Sequence, residues 1–345
     1  MPGPSHGPVL VTGGSGYIAG FLIRALLAEG WMVHTTVRSL AREAALRAEL
    51  GGTPTTLKVF AADLLSDAGW SEAVAGCSHV AHLASPFPAA VPKDPDELIR
   101  PAREGALRAL RFAREAGVRR FVMTSSNAAI AYGQAKDKTR YDEHDWTDPE
   151  APGVQPYILS KTIAERAARD WVAENGGDLV FCTVNPVAVL GPVTGDDFAA
   201  SIEIVRQLLA GKVPALPDVG FCVVDVRDVA ELHRLALTAP DEAVAGGRFI
   251  AASGPFLRFA DVARVLRDNL GRAARRVPSW RLPDPLVRLL ALVMPPARQL
   301  VPELGRVREV SARTSIDRLG WHPRPPEESI LDCARSLIEH GVVKP

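Results

Sequence analysis

The sequence predicts a doubly wound α/β fold built on a parallel sheet, with a smaller and irregular C-terminal lobe. Three observations carry that prediction. Short apolar runs alternate with helix-length stretches through the first half of the chain, the pattern of a parallel sheet covered by crossover helices. A glycine turn, Thr12-Gly13-Gly14-Ser15-Gly16-Tyr17-Ile18-Ala19-Gly20, directly follows the first of those runs. Beyond Pro186 the alternation loosens and prolines cut the chain into shorter pieces, since each proline fixes φ and removes a donor.

Taken in order, the expected strands are 9–12, 32–37, 57–61, 79–83, 121–124 and 179–185, each a short apolar or β-branched run. Helices fill the gaps. Residues 18–28 follow the glycine turn and close at Gly30, and residues 98–116 close at Gly117, where a residue without Cβ takes the left-handed cap. A further helix is expected over 160–171. Past Pro186, residues 221–226 read as a strand and 227–237 as a helix, so the chain revisits its first domain before finishing in the second. The expected division is 1–185 plus about 221–253 for a cofactor domain, and 186–220 plus 254–345 for a substrate lobe.

Composition narrows the partners. The 345 residues are 47% hydrophobic, enough for a substantial core. Forty basic and forty acidic side chains cancel, which removes any global field toward nucleic acid or an anionic membrane and leaves a small molecule as the expected partner. Cys77, Cys182, Cys222 and Cys333 are far apart with no C-x-x-C spacing, against a zinc site or a disulfide scaffold, so a reducing cytoplasm is the expected setting. Residues 1–8 have neither a basic segment nor an apolar stretch and read as a loose tail, not a secretory signal. The apolar segment 286–296 is interrupted by Arg288 and is far shorter than the roughly 20 residues of a span; it reads as a buried helix. Neither an internal repeat nor a metal-ligand constellation is present.

The glycine turn suits a dinucleotide because residues without Cβ let the backbone approach a pyrophosphate and let the helix pack closely on its strand. Gly13 and Gly16 are the first candidates, with Ala19 in the third position, which serves packing. At the end of the second strand, NAD enzymes place an acidic residue on the ribose hydroxyls, whereas this chain has Val37-Arg38-Ser39. Arg38 therefore points to NADP(H), and Arg42 is four residues further on and within reach of the same 2′-phosphate. Asp63, after the third strand, either accepts from the adenine amino group or caps the next helix.

Hydride reaching a carbonyl carbon leaves charge on oxygen, so the site needs a proton donor competent near neutral pH. A tyrosine has an unperturbed pKa near 10, and an adjacent ammonium favours its phenolate. Tyr157 and Lys161 have the i, i+4 spacing that puts both on one helical face. The hydroxyl that orients the carbonyl is expected after the strand 121–124, at the sheet's carboxyl edge where open α/β sheets bind ligands. Ser126 is the choice there and Ser125 its rival, with Asn127 facing the substrate. His79, His82, His233, Asp225 and Asp228 read as packing and capping residues, and the arginines of 100–114 as a solvated face.

With the Thr-Gly-x-x-Gly turn, the Ser-Ser strand end and Tyr-x-x-x-Lys in that order, the chain resembles the extended short-chain dehydrogenase/reductase superfamily over nearly its whole length. Asp63-Leu64, the Val-Ala-His-Leu-Ala-Ser-Pro run at 80–86, Asn185-Pro186-Val187, and Asp225-Val226-Arg227-Asp228-Val229-Ala230 look most like the dihydroflavonol 4-reductase and aldehyde (methylglyoxal) reductase branch of the epimerase/dehydratase superfamily. The resemblance implies a Rossmann fold and reduction of carbonyls with NADPH. It implies Ser126, Tyr157 and Lys161 as the catalytic triad, Lys161 also holding the nicotinamide ribose. Arg38 would bind the 2′-phosphate; Tyr17, Ile18, Leu64, Ala84, Ser85 and Pro186 would line the cofactor cleft. A monomer, or a homodimer formed near 98–116 and 160–171, is the implied assembly. The Asn-Trp-Tyr-Cys-Tyr signature of cinnamoyl-CoA reductases is not in the sequence, which lowers the weight of a thioester substrate. Two other readings stay open: a nucleotide-sugar epimerase/dehydratase or 3β-hydroxysteroid dehydrogenase with the same triad, and a non-catalytic NADP-sensing regulator.

Overall fold

A computed structural model describes residues 7–86, 92, 94–194 and 200–344; most of the expected tail, residues 1–6, lies outside them. The chain runs β1 (Val9–Thr12), α1 (Tyr17–Ala28), β2 (Val33–Val37), α2 (Glu43–Leu50), β3 (Leu57–Ala61), α3 (Trp70–Val74), β4 (His79–His82), α4 (Asp96–Glu115), β5 (Arg120–Thr124), β6 (Arg140–Tyr141), α5 (Pro156–Asn175) and β7 (Val180–Pro186). It continues through β8 (Ala188–Leu190), α6 (Ala200–Leu209), β9 (Gly220–Asp225), α7 (Val226–Thr238), α8 (Asp241–Val244), β10 (Arg248–Ala251), β11 (Ser253–Arg258) and α9 (Phe259–Leu270). It finishes with α10 (Asp284–Leu290), α11 (Pro295–Leu300), β12 (Glu309–Val310), α12 (Arg313–Leu319) and α13 (Pro326–Glu339).

Seven strands form a parallel sheet in the order β10-β7-β5-β4-β1-β2-β3. The order reverses between β1 and β4, and open α/β sheets bind their ligands at that switch point, outside the carboxyl ends of the strands. All four β1 residues are buried, because helices cover both faces and a strand in that position reads as a continuous apolar run. One face packs Val9, Val11, Leu22, Ile23, Leu26 and Val229 with their neighbours, joining α1 and α7. The other packs Leu10, Trp70, Phe121 and Phe181 against the small residues Ala102, Ala106, Ala109 and Ala113 of α4 and Ala164 and Ala168 of α5. A second core, including Leu190, Ile202, Leu208, Val223, Leu266 and Ile330, belongs to the C-terminal lobe around the sheet β11-β9-β8. The fold class is the one the sequence predicts.

Differences from the sequence reading have physical causes. Helix α5 starts at Pro156 rather than at 160, after an extended Gln155; proline suits a first helical turn because its fixed φ is already helical and its missing N–H has no partner there anyway. Tyr157 is thereby held within the helix. The predicted return to the large sheet is made by α7 and β10, whereas the predicted strand near 221–226, observed as β9, pairs in the small sheet. The apolar segment 286–296, expected to be a buried helix, is not one. Helix α10 ends at Leu290 and buries only Val287, while Leu289, Leu292, Val293 and Met294 are exposed. Pro283 and Pro295 bracket it, and a seven-residue helix is too short to be enclosed on all sides. Among the described residues, no helix is long and apolar enough to cross a membrane.

Candidate active site

The glycine turn lies where the sheet order reverses. Gly13 has φ +71°, and a Cβ built on it would stand 3.0 Å from the Ala84 Cα; one on Gly14 would stand 2.2 Å from Thr35 Oγ1. The Gly13 N–H donates to Thr36 Oγ1 at 3.0 Å, the Gly14 N–H to the Thr36 carbonyl at 3.0 Å, and the Gly16 N–H to the Gly13 carbonyl at 2.8 Å. These glycine donors are thus engaged within the protein, and the missing Cβ atoms let the turn pack closely against Ala84 and Thr35. Helix α1 begins immediately after, with no acidic residue in its first turn, so its positive pole faces the turn. Gly13, Ser15, Gly16, Tyr17 and Ile18 all line a cavity of about 830 Å³. The room and the positive helix end fit a dinucleotide pyrophosphate.

Around the turn, the expected cofactor residues divide. Ser85 and Pro186 line the cavity. Ala84 backs Gly13 and donates its N–H to Thr12 Oγ1 at 3.0 Å. Arg38 is exposed just past β2, and Arg42 is exposed at the end of a short turn capped by Ser39, whose Oγ accepts from the Ala41 N–H at 3.3 Å. Asp63 uses Oδ1 to accept from the Leu65 N–H at 2.8 Å, a capping contact. Leu64 packs against α4: a Cβ on Gly105 would come within 2.6 Å of Leu64 Cδ2.

At the other end of the cavity the structure brings Ser126, Tyr157 and Lys161 together. Ser126 follows β5, accepts from the Ala128 N–H at 3.1 Å and hydrogen-bonds the Tyr157 side chain. Lys161 Nζ lies 6.0 Å from the Tyr157 ring centre. Tyr157 keeps part of its surface open to the cavity while lying deep in the protein, and burial raises its pKa, with the Ser126 contact pulling the other way. Burial draws Lys161 itself down to about 8, against the opposing charge of Glu165.

Ser125 is committed elsewhere. Its hydroxyl donates to Glu165 Oε2 at 2.5 Å, and Asn185 Nδ2 donates to the same oxygen at 2.8 Å. The other carboxylate oxygen accepts from Arg248 Nε at 2.7 Å and Arg169 Nε at 3.1 Å. Burial pushes the Glu165 carboxyl up, but the two arginines and the Ser125 hydroxyl outweigh it and hold the pKa below the ordinary value. Glu165 repeats the i, i+4 spacing of Tyr157 and Lys161, so extending that spacing one turn would have found it. Arg248, which also stacks on Trp146 at 3.8 Å, has no local signal.

Asn127 lines the cavity, and its Oδ1 is buried without a hydrogen-bond partner among the described residues. Facing residues that sequence reasoning missed include Tyr132, Glu203, Phe256 and Arg308. The Arg308 guanidinium sits 4.4 Å over the Tyr132 ring and pairs with Glu303. Burial pushes the Tyr132 phenol up to about 12. His82 and His233 serve packing: each bonds a strand-end threonine hydroxyl, Thr12 at 3.0 Å and Thr124 at 2.7 Å.

A nucleotide-binding turn and a Ser-Tyr-Lys cluster in one cleft define a dinucleotide-dependent enzyme of the short-chain dehydrogenase/reductase type. The chain belongs to the NAD dependent epimerase/dehydratase family, whose model matches residues 9–252. It is 38% identical over 285 residues to a cinnamoyl-CoA reductase of Medicago truncatula, covering 80% of this chain and 82% of that protein. It is 32% identical over 346 residues to tetraketide alpha-pyrone reductase 1 of Arabidopsis thaliana, covering 98% and 97%. Among solved structures it superposes on vestitone reductase from alfalfa with a TM-score of 0.75 and 26% identity, over 98% of this chain and 100% of that one. The yeast methylglyoxal/isovaleraldehyde reductase complexed with NADPH gives a TM-score of 0.80 at 24% identity, over 97% and 100%, a likeness of fold.

Proposed function

We propose that this enzyme reduces an aldehyde or ketone with NADPH, reversibly, by a Ser-Tyr-Lys mechanism. The observation that carries the reading is that Ser126, Tyr157 and Lys161 meet in the same cavity that the glycine turn opens. Bound there, the reduced nicotinamide supplies the hydride. Tyr157 gives its phenolic proton to the carbonyl oxygen as charge develops on it. Ser126, already bonded to that phenol, donates to the same oxygen and fixes the carbonyl's orientation. Lys161, cationic near neutral pH, stabilises the phenolate left behind and holds the nicotinamide ribose. Asn127 offers its unpaired Oδ1 to a donor on the substrate. Arg38, with Arg42 beyond it, holds the 2′-phosphate at the end of β2.

One related reductase named above carries a CoA thioester in its name, and the missing Asn-Trp-Tyr-Cys-Tyr sequence favours a free aldehyde or ketone here. We propose further that residues 1–185 and about 221–253 serve the cofactor and the remainder reads the substrate, with β9 itself pairing in the small sheet. A reducing, cytoplasmic setting is supported by four free, buried cysteines. A monomer or a homodimer is the proposed assembly, to be decided by sedimentation.

The test is cofactor oxidation by the purified chain, NADPH and NADH in parallel, across aliphatic, aromatic and 1,2-dicarbonyl compounds. NADPH-dependent turnover is expected. Tight NADP binding with no turnover of any carbonyl would instead favour a sensor, and turnover of a UDP- or dTDP-sugar with the cofactor retained would favour an epimerase.

A further inference from the structure

The turn between α10 and α11 exposes consecutive apolar side chains in a setting rich in arginine. Leu289, Leu292, Val293 and Met294 are 60%, 70%, 75% and 47% exposed, and Trp280, four residues before α10, is also exposed. Residues 271–300 contain six arginines, at 272, 275, 276, 281, 288 and 298, and one acidic residue, Asp284, in a chain whose charges balance overall. All six are exposed, and none is ion-paired among the described residues. Arg298 is fixed beside the tip, its Nε donating to the Ala291 carbonyl at 2.7 Å and its Nη2 to the Leu292 carbonyl at 2.9 Å. Apolar residues grouped on a surface mark an interaction site more often than scattered ones do.

We propose that this tip is a docking surface for an anionic lipid bilayer, with Leu289, Leu292, Val293 and Met294 entering the headgroup boundary and Arg288 and Arg298 meeting the lipid charge. Two features select that occupant. The most exposed side chains project from a turn, where a protein partner would need a matching pocket but the acyl boundary accepts them without one. Arg288 and Arg298 beside the tip, with no acidic residue from 285 to 300, complement an anionic surface, and arginine and apolar residues side by side are the pairing that interfacial binding uses. Since the described helices include none that spans a bilayer, the mode is peripheral and reversible.

The experiment is sedimentation of the full chain with vesicles of phosphatidylcholine alone or with about one-third phosphatidylserine. Binding to the anionic vesicles is expected to exceed binding to neutral ones by at least ~10-fold and to fall as salt rises from ~0.15 to ~0.5 M. Leu292→Glu with Val293→Glu should abolish it, and Arg288→Glu should weaken it, while turnover of a water-soluble carbonyl is unchanged. Equal recovery with both vesicles, or binding that survives the double substitution, overturns the proposal. So does a wild-type dimer that the double variant splits without any vesicle binding, which would assign the tip to a second copy of the chain.

Discussion

Glu165 lies one helical turn beyond Lys161 on α5, fully buried, with its carboxylate gripped by Ser125, Asn185, Arg169 and Arg248. Its charge opposes the burial that draws the Lys161 pKa down to about 8. Lysine is cationic below its pKa and neutral above, so losing that opposition moves the loss of the ammonium to lower pH. Glu165→Gln should therefore shift the alkaline limb of the reductase pH–rate profile downward. It should also cost about 3–5 kcal/mol of stability by leaving buried arginine charge unpaired. A limb that stays in place while stability falls would reduce Glu165 to a scaffold role.

The two adjacent serines should separate cleanly. Ser126→Ala removes the hydroxyl proposed to orient the carbonyl and should lower kcat by roughly 10²-fold. Ser125→Ala removes a contact to Glu165 and should act mainly on melting temperature. Comparable kcat losses for both would reopen the choice between them.

Tyr157→Phe keeps the ring and deletes the proton. Turnover should drop by about 10²–10⁴-fold, with NADPH affinity, followed by fluorescence, little altered. Retained turnover would mean that another acid serves, and the buried phenol of Tyr132 would be the next to replace.

Arg38→Ala should raise KM for NADPH by about 10–100-fold, the scale of a charge-assisted hydrogen bond of about 1.5–3 kcal/mol, and leave KM for NADH where it was. If both cofactors respond alike, the arginine does not read the 2′-phosphate.

Acid sensitivity follows from two buried histidines. Burial, then the Lys161 charge, lowers His82 to about 3, and burial lowers His233 to about 4 against its bond to the Val229 carbonyl. Unfolded histidine titrates near 6.5, so as pH falls below that value the unfolded chain takes up protons that the native state refuses. Stability should drop between about pH 6.5 and 4, by about 1.4 kcal/mol per pH unit for each histidine. Urea denaturation at pH 7, 6 and 5 measures this, and a flat profile would mean that both rings take up protons in the folded state as readily as in the unfolded one.

What the sequence made legible was local. The glycine turn, the six main strands and the Tyr157–Lys161 spacing each declare themselves within a few residues, because a turn, a buried strand and a helical face impose short periods on the chain. Glu165 shares that helical period and was readable in principle. Arg248 and Arg308 were not: Arg248 joins Glu165 across 83 residues, and Arg308 meets the cavity over the Tyr132 ring, far away in sequence. The segment 286–296 failed for the opposite reason. Its apolar composition suggested enclosure, but composition does not say whether any surface is available to enclose it.

Strand β10 has a consequence for biosynthesis. The large sheet receives its last strand at Arg248–Ala251, after the chain has already passed through β8, α6 and β9 of the other lobe. Until the ribosome has released that segment, β7 presents an open edge with unpaired backbone groups, the kind of edge on which chains aggregate. A nascent or truncated polypeptide ending before Arg248 thus contains Ser126, Tyr157 and Lys161 and yet lacks one of the two arginines that balance Glu165, so chaperone demand should peak late in translation.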